Sequence, residues 1–111
     1  MRCKPCEGGV PPMANEEAMK YIKEVPDWVL EDSTIKRNFK FKNFKAALDF
    51  VNRVGEIAEG EGHHPDILLY SWNRVRLTLS THAIKGLSEN DFIIAAKVDR
   101  LVELRLPGLK R

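Results

Sequence analysis

The chain has 111 residues, 43% of them hydrophobic and 31% charged, which fits one globular domain able to bury about two-thirds of its unfolded surface. Its 18 basic and 16 acidic residues are interleaved and leave a formal charge of +2, so there is no strong electrostatic reason to expect nucleic acid as a partner. No apolar run approaches the roughly 20 residues of a membrane span, and the N-terminal residues lack the apolar core of a signal peptide. A soluble, cytoplasmic protein without membrane contact is expected.

Residues 1–14 are rich in cysteine, proline and glycine, and they predict an irregular N-terminal arm in front of a single domain at 15–111. Cys3 and Cys6 form a Cys-x-x-Cys pair within this arm. A redox role would need a strand before the pair and a helix after it. A zinc site would need two more ligands, for which two adjacent histidines downstream are poorly placed because neighbouring side chains point in different directions. We therefore expect a surface arm and no metal.

The domain begins with a pattern typical of a short helix followed by a hairpin. Asn15 is a favoured helix cap, and Pro26 ends the helical pattern. Polar and apolar residues then alternate over 27–31 and again over 35–42, which predicts two antiparallel strands joined by a tight turn. Trp28, near the start of the first strand, is most often a core residue at such a position; the alternative is a flat wall for a planar ligand.

A second helix follows and is the most regular element of the sequence. Asn43 is suited to cap it, and apolar residues recur at helical spacing over 44–58. The helix is expected to end in Gly60-Glu61-Gly62, since glycine is the usual residue past a helix C-terminus. Glu59 lies in the last turn, where the helix dipole disfavours a carboxylate. It is either a solvated acid or a carboxylate directed at the histidines that follow.

The rest of the chain predicts more strand and a last helix. Residues 66–72 are apolar and aromatic and fit a loop or a short strand, whereas 73–81 alternate clearly and predict a strand. Ser88 is expected to cap a last helix, which Pro107-Gly108 ends. Alternating strands and amphipathic helices in this order predict an α+β fold, with helices on one side of an antiparallel sheet.

The three histidines are the candidates for chemistry. His63 and His64 follow the glycine-rich helix end, and His82 follows the strand predicted at 73–81. An imidazole, with an ordinary pKa near 6.5, suits proton transfer, which contributes about 10²- to 10⁴-fold in rate. One such histidine alone is more often a hydrogen-bonded structural residue, but three at the ends of elements make catalysis a competitive interpretation. The sequence has no nucleophile elbow, phosphate-binding glycine loop or helical His-Glu-x-x-His pair.

The histidines also belong to a longer series of residues. In chain order the series is Cys3-x-Pro5-Cys6-x-Gly8-Gly9, Pro11-Pro12, Trp28, Ile35-x-Arg37-x-Phe39-x-Phe41, Phe44, Glu59-x-x-x-His63-His64-Pro65-Asp66, Trp72-Asn73-Arg74-Val75, Leu79-Ser80-Thr81-His82, Gly86-Leu87-Ser88 and Asp91. In order and spacing this series resembles the pterin-4a-carbinolamine dehydratase family over nearly the whole chain.

The resemblance implies a small α+β protein whose four-stranded antiparallel sheet carries helices on one face and which assembles into a homodimer or homotetramer. It also implies dehydration of 4a-hydroxytetrahydropterin to quinonoid dihydropterin, without a metal or an organic cofactor. That reaction regenerates the pterin used by aromatic amino-acid hydroxylases. By the same resemblance, His63 and His82 form the catalytic acid/base pair, and His64 mainly holds and polarises the substrate.

Five further residues receive substrate-binding roles from the resemblance. Ser80 and Thr81 would contact the edge of the pterin through backbone or hydroxyl groups. Glu59 and Asp91 would orient the histidines or tune them electrostatically. Trp28 would help to wall the pocket.

The sequence departs from the family pattern at four positions close to these residues. Gly62 stands where members often carry Asn or Asp, and Ala83 stands where an acidic residue is common. Lys85 replaces a small residue of the usual turn, and Asn90 occupies a place where some members have Arg. None of these changes removes a histidine, so we expect an altered affinity before a lost activity.

Two other functions fit the same residues. Some animal members of the family also dock onto a transcription factor as dimerisation cofactors, and such a role would use a helix surface, either 44–58 or the last helix. A catalytically silent relative with a maintenance or assembly role is the other alternative. The sequence does not select between these roles, because the same apolar stripes are needed for the core and for self-association.

Overall fold

The computed structural model describes residues 12–81, 84–103 and 109–110 of the chain. Its elements, in order, are α1 (Asn15–Ile22), β1 (Val29–Glu31), β2 (Thr34–Phe41), α2 (Phe44–Glu61), β3 (Asp66–Tyr70), β4 (Arg74–Leu79), α3 (Glu89–Glu103) and β5 (Leu109–Lys110). The α+β class is therefore confirmed, and the ambiguous segment at 66–72 is largely a strand. None of the helices in the described part of the chain is long and apolar enough to cross a bilayer.

The sheet consists of two antiparallel hairpins placed side by side. The strand order is β1-β2-β4-β3, with every neighbouring pair antiparallel, as the four-stranded prediction requires. The two residues of β5 add to β2 through the pairs Lys40↔Lys110 and Phe41↔Leu109. The tight turn of the first hairpin passes through Asp32, whose φ is 53°.

The core lies between one face of this sheet and the helices. Alternate residues of β2 and β4 face the core and are almost completely buried: Ile35, Phe39, Phe41, Val75, Leu77 and Leu79. Phe50 of α2 packs on this layer, with its ring centroid 4.6 Å from that of Phe39 and 5.0 Å from that of Phe41. Each such side chain contributes about 1.5–3 kcal/mol when fully buried, so this layer holds α2 on the sheet.

The first helix differs in detail from the prediction. Its cap is Ala14, in extended conformation, and Asn15 is already helical; the Asn15 side chain donates to Met19 Sδ at 3.8 Å and does not cap. Met13 N–H donates to Leu87 O at 2.7 Å, so a tertiary contact holds the chain extended up to this point. The helix also ends at Ile22, well before Pro26, because the chain changes there to successive hydrogen-bonded turns.

The second helix matches the prediction at both ends. Asn43 Oδ1 accepts a hydrogen bond from Ala46 N–H at 2.8 Å, which is the expected N-cap. Gly62 ends the helix with a φ of 66°, a left-handed conformation that glycine adopts without strain. The helix end therefore fixes where His63 and His64 enter the structure.

Several predicted features fall outside the described residues. The Cys3–Cys6 pair lies there, as does most of the arm at 1–14. His82 and the end of the last helix at Pro107-Gly108 also lie there. The interpretations of these residues stay predictions.

Candidate active site

A buried carboxylate holds His63 against α3. His63 Nε2 lies 2.7 Å from Asp91 Oδ1, and the Asp91 side chain is fully buried while that of His63 is 11% exposed. Gly62 reverses the chain at the end of α2, and His63 N–H then donates to Ala58 O at 3.2 Å. The backbone and the imidazole of His63 are thus both fixed.

The second oxygen of the same carboxylate is also fully used. Asp91 Oδ2 accepts hydrogen bonds from Thr81 Oγ1 at 2.8 Å and from Ser88 N–H at 2.9 Å. The Ser88 bond is half of a capping box, in which a carboxylate in the first turn reaches back to the N-cap amide. A buried carboxylate requires such partners, because burying it without them is costly.

These contacts determine the tautomer of His63. An ionised carboxylate only accepts hydrogen bonds, so His63 Nε2 is the donor to Asp91. In the neutral ring the lone pair is then on Nδ1. Nδ1 is therefore the ring nitrogen of His63 that does not bond to Asp91.

Asp91 also connects the two histidine segments of the sequence. Thr81 immediately precedes His82, so the residue before His82 and the imidazole of His63 are bonded to opposite oxygens of one carboxylate. The resemblance implied that His63 and His82 act as a pair, and the structure links His63 through Asp91 to Thr81, the residue before His82. His82 itself lies outside the described residues.

The other imidazole–carboxylate pair is on the surface. His64 Nε2 lies 2.6 Å from Glu59 Oε2, and the side chains are 60% and 79% exposed. Glu59 is therefore a histidine partner, as the sharper of the two sequence interpretations held, but an exposed ion pair contributes little to stability.

The remaining predicted residues have different surroundings. Ser80 is half-buried at the end of β4. Trp28 is 3% exposed, and its Nε1–H donates to Asp99 Oδ1 at 2.8 Å. Arg37 Nη1 donates to the same oxygen at 2.7 Å. Burial raises the pKa of the Asp99 carboxyl, although the bonds from Trp28 and Arg37 oppose the increase. Trp28 is thus a core residue, and its role as a pocket wall stays a prediction.

Ser88 is a site residue that the sequence indicated only as a helix cap. Its Oγ lies 2.7 Å from Thr81 Oγ1, and Thr81 N–H donates to Gly86 O at 2.7 Å, so these bonds hold the turn at Lys85 and Gly86 against Thr81. Pro12 packs on this turn, since a Cβ added to Gly86 would lie 2.5 Å from Pro12 Cβ. The Gly-Leu-Ser element of the family series was the available signal for this role.

Gly62 is the departure from the family pattern that the structure explains most directly. The position has a φ of 66°, and Gly, Asn and Asp are the residues that most readily adopt such an angle. Glycine therefore preserves the helix end that positions His63, and it gives up only what an Asn or Asp side chain would contact.

A groove of about 600 Å³ lies elsewhere, between the three helices. The described residues that line it include Tyr21, Ile57, Phe92, Lys97 and Arg100, and no predicted site residue is among them. The carboxylate of Glu89 raises the pKa of the Tyr21 hydroxyl at one end of it. Among the described residues, no group of three His, Cys, Asp or Glu is arranged to hold a metal ion.

A histidine held by a buried carboxylate is an arrangement that can serve proton transfer. Comparison with known proteins makes the assignment specific. Residues 11–101 match the sequence profile of the family described as Pterin 4 alpha carbinolamine dehydratase. The chain belongs to this family.

Bacterial relatives agree with that assignment over most of the chain. A protein of Halorhodospira halophila is 56% identical over 102 residues, which cover 89% of this chain and 92% of the relative. A protein of Rubrobacter xylanophilus is 53% identical over 100 residues, covering 89% of this chain and 92% of the relative. Both are named, provisionally, as pterin-4-alpha-carbinolamine dehydratases.

Two solved structures have related folds. The crystal structure of a transcriptional coactivator/pterin dehydratase from Brucella melitensis has a TM-score of 0.74 at 32% identity, covering 81% of this chain and 97% of that one. A pterin dehydratase-like protein described as a RuBisCO assembly factor in the alpha-carboxysome has a TM-score of 0.54 at 23% identity, covering 67% of this chain and 84% of that one. The second likeness shows the fold alone.

Proposed function

We propose that the protein dehydrates 4a-hydroxytetrahydropterin to quinonoid dihydropterin by histidine acid/base catalysis. Membership of the family and the names of its relatives support pterin-4a-carbinolamine dehydratase activity. The observation that carries the mechanism is the Asp91 carboxylate, which bonds to His63 through one oxygen and to Thr81, next to His82, through the other.

The reaction needs one acid and one base. An acid protonates the hydroxyl at C4a, which leaves as water while the lone pair of N5 forms a double bond to C4a. A base then removes the proton from N5. The hydroxyl and one proton leave the substrate as water, and no electron is gained or lost, so two correctly placed imidazoles suffice for the chemistry.

His63 is suited to act as the base. With Nε2–H donated to Asp91, its Nδ1 is the atom that accepts the proton, and the ionised carboxylate stabilises the resulting imidazolium. His82 then supplies the acid. His64, with Glu59 beside it on the surface, holds and polarises the substrate.

In this mechanism Thr81 positions another residue and does not bind the substrate directly. Its hydroxyl bonds to both Asp91 and Ser88, and its backbone N–H and C=O pair with Gly86. With these groups engaged, Thr81 positions Asp91, and contact with the edge of the pterin falls to Ser80. In the cell, the reaction would return the pterin cofactor of aromatic amino-acid hydroxylases to use, in a homodimer or homotetramer of this chain.

The test is to follow the dehydration of chemically prepared 4a-hydroxytetrahydropterin by stopped-flow absorbance. We expect His63→Ala and His82→Ala to lose about 10²- to 10⁴-fold in rate. His64→Ala should mainly raise KM. The rate of the wild type should fall as the pH drops through the range in which imidazoles become protonated, because the base must be neutral. A wild type no faster than buffer would refute the proposal.

A second function has one observation in its favour. The related protein from Brucella melitensis is described as a transcriptional coactivator as well as a pterin dehydratase. In this chain Phe44 and Leu48, one helical turn apart on α2, are 50% and 41% exposed and would suit docking to a partner helix. If that role holds, Phe44→Ser with Leu48→Ser should abolish capture of a helical transcription-factor domain and leave dehydration unchanged. Capture that survives both changes would exclude this surface.

A further inference from the structure

The face of the sheet away from the core is open to solvent. It carries the alternate residues of each strand that the core does not use, all of them exposed or half-buried: Thr34, Lys36, Asn38 and Lys40 of β2, Arg74, Arg76 and Thr78 of β4, and Asp66, Leu68 and Tyr70 of β3. An antiparallel sheet commonly has one solvated face of this kind, with charges of both signs.

The two ends of this open face differ in charge. At one end Lys36 forms an ion pair with Glu31 at 2.9 Å, and Asp66 lies opposite Thr78. At the other end, the charged side chains of the described residues are cations. One row across three strands there reads Lys40, Arg74 and Tyr70, each paired in register with the next.

This row is unfavourable for the isolated protein. Like charges directly opposite each other on neighbouring strands are destabilising, because strands are only about 4.8 Å apart. Within the described part of the chain, neither Lys40 nor Arg74 has an acidic partner, and both are exposed. The arrangement of the charges therefore points to an anion from outside the chain, although the net charge of the whole protein is only +2.

Aromatic side chains lie at the same end. The guanidinium of Arg76 is 5.6 Å from the centroid of the Tyr70 ring. Trp72, in the β3–β4 turn, is 61% exposed. Ser71 and Trp72 have φ angles of 47° and 56°, a left-handed conformation that is strained for a bulky residue.

Asn73 maintains this strained turn. It is 5% exposed, its Nδ2 donates to Phe41 O at 2.8 Å, and its own carbonyl accepts from Phe41 N–H at 2.8 Å. The turn is thereby fixed to the end of β2, next to Lys40. The result is an exposed indole at the same end of the sheet as Lys40 and Arg74.

We propose that this basic end of the sheet (Lys40, Arg74 and Arg76, with Tyr70 and Trp72) binds single-stranded nucleic acid. Cations that follow a phosphate backbone, combined with flat aromatic groups on which bases stack, are the combination by which proteins bind single strands without sequence preference. An acidic protein segment would use the cations and leave the aromatic groups without a role. The proposal is independent of the dehydratase chemistry.

The first test measures the contribution of the cations. A fluorescently labelled oligo-dT of about 12 nucleotides is titrated with the full chain, and binding is followed by anisotropy at several salt concentrations. Lys40→Glu and Arg74→Glu should each weaken binding about tenfold and reduce the salt dependence, since about 0.7 of a counterion is released per phosphate contact in a single strand. Lys45→Glu, an equal charge change at an exposed position of α2, is the matched control and should bind as the wild type does.

The second test separates stacking from charge. Trp72→Ala should weaken binding of the oligonucleotide about tenfold, Trp72→Phe should restore most of it, and neither should change binding of inorganic polyphosphate. The chain has two tryptophans, and Trp28 is 3% exposed, so quenching of tryptophan fluorescence by the oligonucleotide reports on Trp72. Circular dichroism and the dehydration rate verify that each variant is folded. Equal effects of Lys45→Glu and Lys40→Glu would overturn the proposal, as would unchanged binding by Trp72→Ala.

Discussion

Two imidazole–carboxylate pairs, whose histidines are neighbours in the sequence, have similar nitrogen–oxygen distances, but one pair is buried and the other is exposed. His63 and Asp91 are 2.7 Å apart in the interior, and His64 and Glu59 are 2.6 Å apart in solvent. These distances alone do not distinguish the two pairs. Burial distinguishes them, because in the interior the carboxylate must be satisfied by fixed donors, and those donors also fix the histidine. Because of this difference, we expect His63 to suit proton transfer and His64 to suit substrate contact.

Removing the carboxylate charge from each pair in turn should produce the largest difference between them. Asp91→Asn should destabilise the protein by about 1.5–3 kcal/mol, because hydrogen bonds to a buried charge are lost. It should also lower the dehydration rate by about 10²- to 10⁴-fold by disturbing the His63 tautomer. Glu59→Gln is the matched control and should leave the free energy of unfolding nearly unchanged. Urea titration and stopped-flow absorbance give both quantities; equal losses in the two variants would contradict the distinction.

A smaller change tests whether the donors to Asp91 matter for the chemistry. Thr81→Val keeps the shape of the side chain and removes the hydroxyl, which should cost about 1–3 kcal/mol of stability and lower kcat with little effect on KM. Thr81→Ser should recover both, because it restores the hydroxyl that bonds to Asp91 and Ser88. If Thr81→Ser were as slow as Thr81→Val, the methyl group and not the hydroxyl would be responsible.

A further comparison uses two glycines. Gly86→Ala would place a Cβ 2.5 Å from Pro12 Cβ and force Pro12 away from the turn at Gly86, so we expect a destabilisation of about 1–3 kcal/mol. Gly55→Ala, in the middle of α2 with nothing near its added Cβ, should stabilise the protein by about 0.5–1 kcal/mol. Thermal unfolding of the two variants measures this contrast, and a neutral Gly86→Ala would show that Pro12 moves away without cost.

The smallest expected effect concerns Asp99. Burial raises its pKa in the folded state above the unfolded value, so its favourable contribution is complete below the unfolded pKa, near 4, and is lost as the pH rises through the folded value. Relative to the wild type, Asp99→Asn should therefore become more stable as the pH rises from about 4 to 7. Thermal unfolding of both proteins across this range measures the difference, which should change with pH; a constant difference would contradict the raised pKa.

Local patterns were sufficient to predict most of the fold. Asn43 and Gly62 marked the ends of α2 because caps act within one turn of the chain. The cap of α1 was wrong by one residue, since the bond from Met13 to Leu87 comes from a distant part of the sequence. Residues 66–72 were ambiguous because a short apolar run has the same composition in a loop and in a strand.

The sequence predicted which residues belong to the site better than it predicted the contacts between them. The family series named His63 and Asp91, but their bond joins positions 28 residues apart, and no local pattern contains that distance. Ser88 was indicated as a cap only, because its second contact, to Thr81, depends on how the intervening turn closes. The sequence correctly indicated Trp28 as a core residue. It did not indicate its partner Asp99, because the local pattern there is that of an ordinary polar residue on a helix.

The carboxylate of Asp91 caps the N-terminus of α3 and also restrains His63, and these two roles have an evolutionary consequence. A lineage that abandoned the reaction would lose stability if it discarded this aspartate, but would lose little stability by discarding an exposed histidine. Descendants without activity should therefore retain Asp91 long after His64 has been substituted. The aspartate by itself is therefore a poor marker of an active enzyme.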